Sequence, residues 1–171
     1  MVAQRSEELG KATKLAARKY FYFTLNTPTF FEAKLKLNPD KHSGNVQLHI
    51  DADLPEGENW FSECGLYSYN QQTRAWARCW DTAWPWQEGY EYSIEGESVD
   101  YGTWHTFRIE VDPASMTFTY YVDDQMAGSH IPVDAEELKK AKFTLAIGVY
   151  GETLIGYIDD VCARPIESKR Y

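Results

Sequence analysis

Seven side chains that could take part in chemistry sit on alternate positions of "ECGLYSYNQQTRAWARCW" (63–80): Glu63, Tyr67, Tyr69, Arg74, Trp76, Arg78 and Trp80. Successive residues of an extended chain point to opposite faces, and two strand-like runs flank Asn70–Thr73, so the segment reads as a β-hairpin. With its turn centred on Gln71–Gln72, Cys64 lies opposite Cys79, Leu66 opposite Ala77 and Ser68 opposite Ala75. The other face then carries Glu63, Gly65, Tyr67 and Tyr69 against Trp80, Arg78, Trp76 and Arg74. A packed core rejects two arginines and a glutamate unless they are paired, so this face is expected to turn outward, into a groove. Rings interleaved with Arg and Glu suit a ligand with apolar faces and polar edges. Sugars fit that description: their C–H groups stack on Trp and Tyr, Glu63 would accept from hydroxyls, and Arg78 would donate to ring or hydroxyl oxygens. Arginine planes stacked on tryptophan over a solvated sheet give the same pattern with no ligand. A one-residue slip of register would exchange the two faces.

The next stretch, "WDTAWPWQEGY" (80–90), carries Trp84 and Trp86. Pro85 and Gly89 predict a loop, whose rings would either plug one end of the fold or wall a binding groove. Cys64 and Cys79 would form a cross-strand disulfide or stay as two buried thiols acting as small hydrophobes; the thiol reading is preferred, and Cys162 is left over either way. The four histidines show no zinc-binding spacing, and no CxxC string is present. A glycosidase needs two carboxylates about 5–10 Å apart across a cleft. Glu63 is the one acid placed on the aromatic face, with Glu32, Asp51 or Glu110 as partners from neighbouring strands. No nucleophile elbow or Ser/His/Asp order suggests a triad.

Strands must position these groups. "TFFEAKLKL" alternates Phe31, Ala33, Leu35 and Leu37 with Glu32, Lys34 and Lys36. "NVQLHID" sets Val46, Leu48 and Ile50 against Gln47, His49 and Asp51. "TWHTFRIEVD" sets His105, Phe107, Ile109 and Val111 against Trp104, Thr106, Arg108 and Glu110. After the turn "DPAS" comes "SMTFTYYVDD", with a hairpin turn at Asp123–Asp124. "KFTLAIGVYG" and "LIGYIDDVCAR" complete about ten strands of usual length. One short helix is expected over 134–141, capped by Asp134, and a second over 5–19. Residues 1–19 read as a helical appendage or linker and 20–171 as one domain. The fold class is all-β, a two-sheet antiparallel β-sandwich.

With 171 residues the chain suits one core, and 43% hydrophobic residues exclude a disordered chain. A net charge of −9 repels phosphate backbones and anionic lipid, which argues against nucleic-acid and membrane-surface partners. No apolar run is long enough to span a membrane, and the N-terminus has no signal-peptide core. If the native protein is secreted, its signal has been cut off, or the chain is an excised domain.

Two segments resemble a known family. "YGTWHTFRIEVDPASMTFTYYVDDQMAGS" (101–129) resembles the strand pair of concanavalin A-like jelly rolls, especially the laminin-G-like branch, in which a W-H strand and a turn precede a strand ending Y-V-D-G. "IGYIDDVCARP" (155–165) resembles the closing strand, G-x-I-D-[DE]-V. Asp124 replaces the glycine of Y-V-D-G. The glucanase string E-x-D-x-x-E and the lyase string R-x-E-x-R are absent; Gln47 and His49 occur as Q-L-H in "VQLHID" without partner strings. Taken with the aromatic face and the tryptophan loop, which would hold ligand through Glu63, Tyr67, Trp76, Arg78, Trp80, Trp84 and Trp86, the resemblance points to a non-catalytic, lectin-like carbohydrate-binding module, one part of a larger protein, and it favours an extracellular or cell-surface setting. The rivals are a glycoside hydrolase or polysaccharide lyase with a non-standard acid pair, and a structural or protein-interaction domain. It also implies a structural calcium ion at Asp159, provided Val161 faces the core and Asp159 shares its side; the other reading is a carboxylate bonded to backbone N–H groups.

Overall fold

The computed structural model describes residues 2–4, 15–16, 22–23, 27–38, 44–54, 59–68, 73–84, 91–132, 135–151 and 155–166. Three short strands, β1 (Val2–Gln4), β2 (Leu15–Ala16) and β3 (Tyr22–Phe23), precede the long ones. These are β4 (Thr29–Leu37), β5 (Gly44–Asp53), β6 (Asn59–Ser68), β7 (Ala75–Trp84) and β8 (Glu91–Val99). Then come β9 (His105–Asp112), β10 (Thr117–Val122), β11 (Gln125–His130), the helix α1 (Ala135–Leu138), β12 (Lys142–Gly151) and β13 (Ile155–Pro165). One sheet has the order β1-β13-β4-β9-β10-β11. The other has the order β2-β12-β5-β6-β7-β8, with β3 also on β12. Every pairing is antiparallel. The expected sandwich is what forms, and no described helix is long and apolar enough to cross a membrane.

Period-two alternation builds the core. Phe31, Ala33, Leu35 and Leu37 of β4 and Phe107, Ile109 and Val111 of β9 are buried on the inner face of the first sheet. Val46, Leu48 and Ile50 of β5 meet them from the second. Burying one such side chain contributes about 1.5–3 kcal/mol relative to leaving it exposed. Trp60 of β6 packs on Phe118 of β10 with ring centroids 4.8 Å apart, tying the sheets together. Two polar links cross the same interior. The Ser62 hydroxyl donates to the Tyr120 hydroxyl at 2.9 Å, and His130 Nε2 lies 2.5 Å from Asp81 Oδ2.

Asp123 and Asp124 form the expected turn between β10 and β11. Their φ angles are 49° and 63°, the double positive pattern of a type I′ turn. Aspartate tolerates that region better than most residues, which explains how Asp124 can stand where the Y-V-D-G pattern it resembles has glycine. The Asp123 carboxylate accepts from Thr106 N–H at 2.8 Å and lies 2.7 Å from His105 Nδ1, which fastens the turn to β9.

Four expectations change. Leu15–Ala16 pair with β12, and Val2–Gln4 pair with β13, so an N-terminal helix does not hold at 15–16; residues 5–14 and 17–19 lie outside the described residues. The strand β7 runs on to Trp84, so 80–84 is not loop: the ladder to β6 continues through Asn59↔Trp84. The helix covers only Ala135–Leu138 and buries Leu138, while Asp134 lies outside the described residues. Asp159 does not share an inward face with Val161. Two residues, Asp160 and Val161, oppose one residue of β4 in a bulge between Asp159↔Lys34 and Cys162↔Glu32, with Asp160 at φ 49°. The extra residue breaks the parity, and both Asp159 and Val161 are exposed. Asp159 Oδ1 accepts from Asp160 N–H at 2.9 Å, and Asp160 pairs with Lys34 Nζ at 2.6 Å.

Candidate functional site

The site lies on the face of β5, β6 and β7 turned away from the core. Cys64↔Cys79 and Leu66↔Ala77 pair on the inner side, as the turn placement predicts. On the outer side Glu63 pairs with Trp80, Gly65 with Arg78 and Tyr67 with Trp76. The next strand brings Gln47 and His49 beside them, through Gln47↔Gly65 and His49↔Glu63. Cys64 and Cys79 form a disulfide, not the two thiols preferred from the sequence.

Glu63 is the hub. Tyr67 OH donates to its Oε1 at 2.6 Å, and Trp80 Nε1–H donates to the same oxygen. Gln47 Nε2 donates to its Oε2 at 2.5 Å. A carboxylate offers about four lone-pair sites, so three protein donors nearly saturate it. Glu63 therefore organises its neighbours more than it offers free oxygens to a ligand. It is 4% exposed, as is His49, and Gln47 is 5% exposed. Burial pushes the Glu63 carboxyl above its ordinary pKa; the Tyr67 hydrogen bond, the His49 charge and the Trp80 hydrogen bond pull it back only in part, and Asp51 adds to the rise. His49 Nδ1 stands 3.3 Å from Asp51 Oδ1 at the edge of the cluster.

Gly65 is what lets β5 and β6 lie so close under this cluster. A Cβ there would come within 2.4 Å of the Val46 carbonyl oxygen and 2.8 Å of Gln47 Cβ. The rim of the site is aromatic and cationic. Trp76, Arg78 and Trp80 are half-buried; the Arg78 guanidinium stands 5.8 Å from the Tyr67 ring centre, and Phe61 meets Trp80 edge-on at 5.3 Å.

Five predicted residues thus come together: Glu63, Tyr67, Trp76, Arg78 and Trp80. Trp84 ends β7, Trp86 and Tyr69 lie outside the described residues, and Arg74 pairs with Asp100 at 3.0 Å. Of the acids considered as partners for Glu63, Asp51 shares its strand neighbourhood. Glu32 and Glu110 do not: they flank Arg108 on the outer face of the other sheet, at 3.7 and 3.2 Å. Gln47 and His49 were not among the predicted ligand-binding residues. Their signals were the polar side of "VQLHID" and the Q-L-H string within it, but only the β5–β6 pairing shows which strand they join. Among the described residues no group of three or more His, Cys, Asp or Glu could hold a metal ion, and Asp159 lies on the far sheet.

The architecture can be compared with solved structures. An alginate lyase from Pseudomonas aeruginosa superposes with a TM-score of 0.62 at 12% identity, over 82% of this chain and 65% of that one. A second alginate lyase, solved with an alginate trisaccharide, gives 0.55 at 11% identity, over 91% and 75%. An alginate lyase from Klebsiella pneumoniae gives 0.51 at 10% identity, over 81% and 60%. The fold is a concanavalin A-like jelly roll. The chain thus spans about two thirds of the first lyase's length, and at such identities the likeness concerns the fold alone. No protein-family model matches the chain, and no curated protein does. Within this jelly roll the outer face of β5–β7 is a sheet surface carrying a buried, interlinked polar cluster under an aromatic rim.

Proposed function

We propose that the outer face of β5, β6 and β7 binds carbohydrate and that the chain is a non-catalytic, lectin-like module. The observation that carries this reading is the Glu63 network. It holds the Tyr67 phenol, the Trp80 indole and the Gln47 amide in fixed places beside Trp76 and Arg78, on a side of the sheet that the core does not use. A polar ligand with apolar faces fits such a surface. That jelly rolls of this architecture include lyases named for a polysaccharide is consistent with it. The Cys64–Cys79 disulfide supports an extracellular or cell-surface setting, since disulfides persist in oxidising compartments.

The test is a glycan-array screen of the purified chain beside Trp76→Ala. Binding that the substitution abolishes supports the face. No binding to any glycan would refute the reading and favour a structural or protein-interaction domain.

One observation favours a second reading, a polysaccharide-cleaving enzyme. A buried carboxyl with a raised pKa stands near a buried histidine, a pattern common at catalytic sites. New reducing ends or unsaturated sugar, produced by the chain and lost in Glu63→Gln, would establish it.

A further inference from the structure

The sheet opposite the candidate site carries an aromatic group of its own. Lys36 of β4 points outward because Leu35 and Leu37 are buried on either side of it. Tyr157 of β13 is its direct cross-strand partner and points outward with it. Trp104, the residue before β9, flanks Lys36 on the other side and is 41% exposed. Gly102 N–H donates to the Leu37 carbonyl at 2.9 Å, which ties the turn before β9 to the end of β4 and fixes Trp104 there. The two rings meet at 6.4 Å with their planes inclined by 68°. The Lys36 ammonium stands over both, 4.7 Å from the Trp104 centroid and 4.5 Å from that of Tyr157. These side chains offer donors. An ammonium and an indole N–H accept nothing, and the Tyr157 oxygen already accepts from Asn38 Nδ2 at 3.2 Å, which leaves its O–H to donate. Lys34 and Arg108 on the same face each meet a carboxylate, Asp160 at 2.6 Å and Glu110 at 3.2 Å. Among the described residues Lys36 meets none, in a chain with 26 acids against 17 lysines and arginines.

We propose that Lys36, Trp104 and Tyr157 form a second ligand site, for an acidic sugar whose carboxylate or sulfate meets the ammonium while its C–H face packs on the exposed part of the Trp104 ring. The site lies on the sheet β1-β13-β4-β9-β10-β11, so it is separate from the β5–β7 face and does not depend on the reading of that face. A neutral sugar can accept from the ammonium through its hydroxyls but does not balance the charge; an oxyanion does both. A peptide would bring backbone N–H donors that three donor side chains cannot satisfy. The acids of the next outward rung are engaged elsewhere: Asp159 accepts from Asp160 N–H, and Asp160 pairs with Lys34. The net charge of −9 is spread over the chain, and charges beyond about 10 Å are screened at 0.1 M salt, so the local ammonium sets the sign. A single cation makes a weak site, with a Kd on the order of 1 mM.

NMR of the isotope-labelled chain, read at the Trp104 and Trp80 indole N–H signals, tests the proposal. The ligands are oligouronates, sulfated galacto-oligosaccharides and neutral oligosaccharides of equal length, each taken to on the order of 10 mM. The proteins are the wild type, Lys36→Met and Lys36→Arg. At least one acidic series should move the Trp104 signal to saturation, and the one that does names the oxyanion; the neutral series should not. Lys36→Met keeps the stem over the rings and loses the charge, so it should weaken binding by about tenfold or more at an unchanged melting temperature. Lys36→Arg should retain binding, and added salt should weaken it in the wild type. Neutral sugars moving Trp104 as far as acidic ones, Lys36→Met binding as well as the wild type, or no movement with any acidic sugar would overturn the site. Movement at Trp80 alone would place the ligand on the β5–β7 face, which leaves that reading standing and overturns this one.

Discussion

Replacing Glu63 by glutamine removes a buried charge with almost no change of shape. The introduced amide oxygen can stand where Oε1 stands and accept from Tyr67 and Trp80. The amide nitrogen replaces Oε2 and donates to Gln47 once that side chain turns over. All three hydrogen bonds survive, but each loses charge assistance, roughly 1 kcal/mol apiece or about 3 kcal/mol together. Against this stands the removal of a desolvation penalty of several kcal/mol for a buried ion. The raised pKa of Glu63 says that desolvation is the larger effect. The sign with pH follows. A carboxyl whose pKa is raised by folding contributes most stability when protonated, and that contribution is lost as pH climbs from the ordinary carboxyl value, about 4.3, through the folded value. Glu63→Gln has no such loss. Its melting temperature, measured by calorimetry from about pH 4 to about pH 8, should therefore gain on the wild type as pH rises. A difference that stays constant, or that moves in favour of the wild type, would refute the claim that burial governs this group.

Gly65→Ala should lower stability by about 1–3 kcal/mol in urea titration and also weaken ligand binding, because the new methyl presses on the Val46 carbonyl and displaces Gln47; unchanged stability would contradict the close approach. Reduction of Cys64–Cys79, whose members are separated by 15 residues, should cost about 3 kcal/mol of stability, and a complete thiol titration with no shift in melting temperature would show that the crosslink adds nothing. His130→Ala should cost about 1–3 kcal/mol in chemical denaturation, since it removes the imidazole that meets Asp81 Oδ2 at 2.5 Å between the sheets, and unchanged stability would show that this link adds nothing.

Much of this architecture can be read from local pattern. Strict alternation in "TFFEAKLKL" and "HTFRIEVD" fixes which residues enter the core, because a strand has no other way to bury one face. Placing a turn at 71–72 from the sequence predicts the β6–β7 register that forms, and with it the pairing of Glu63 with Trp80. What escapes is whatever depends on distant partners or on one backbone angle. Gln47 and His49 look like the solvated side of an ordinary strand until β5 is laid against β6. Nothing in "YIDDV" announces that Asp160 takes a positive φ and turns Asp159 outward. Pro85 signals a break, but the ladder with β6 carries β7 up to the residue before it.

The β6–β7 pair explains why a ligand face would be built here. Three consecutive rungs are held, alternately inside and outside. Ser62↔Asp81 faces inward and is tied to the opposite sheet through Tyr120 and His130. Glu63↔Trp80 faces outward and is joined by the indole N–H. Cys64↔Cys79 faces inward again and is covalent. A slip of one residue would have to break all three, so the outer groups keep their places whether or not a ligand is present. Groups already ordered cost a ligand less conformational entropy on binding. The polar interior of the sandwich and the polar cluster on its outer face are therefore two sides of one arrangement. Loosening the inner rungs, by His130→Ala or by reduction of the disulfide, should weaken binding on the outer face even though none of those side chains can touch the ligand. An affinity that survives both changes at a temperature where the chain stays folded would show that the outer network stands without its inner support.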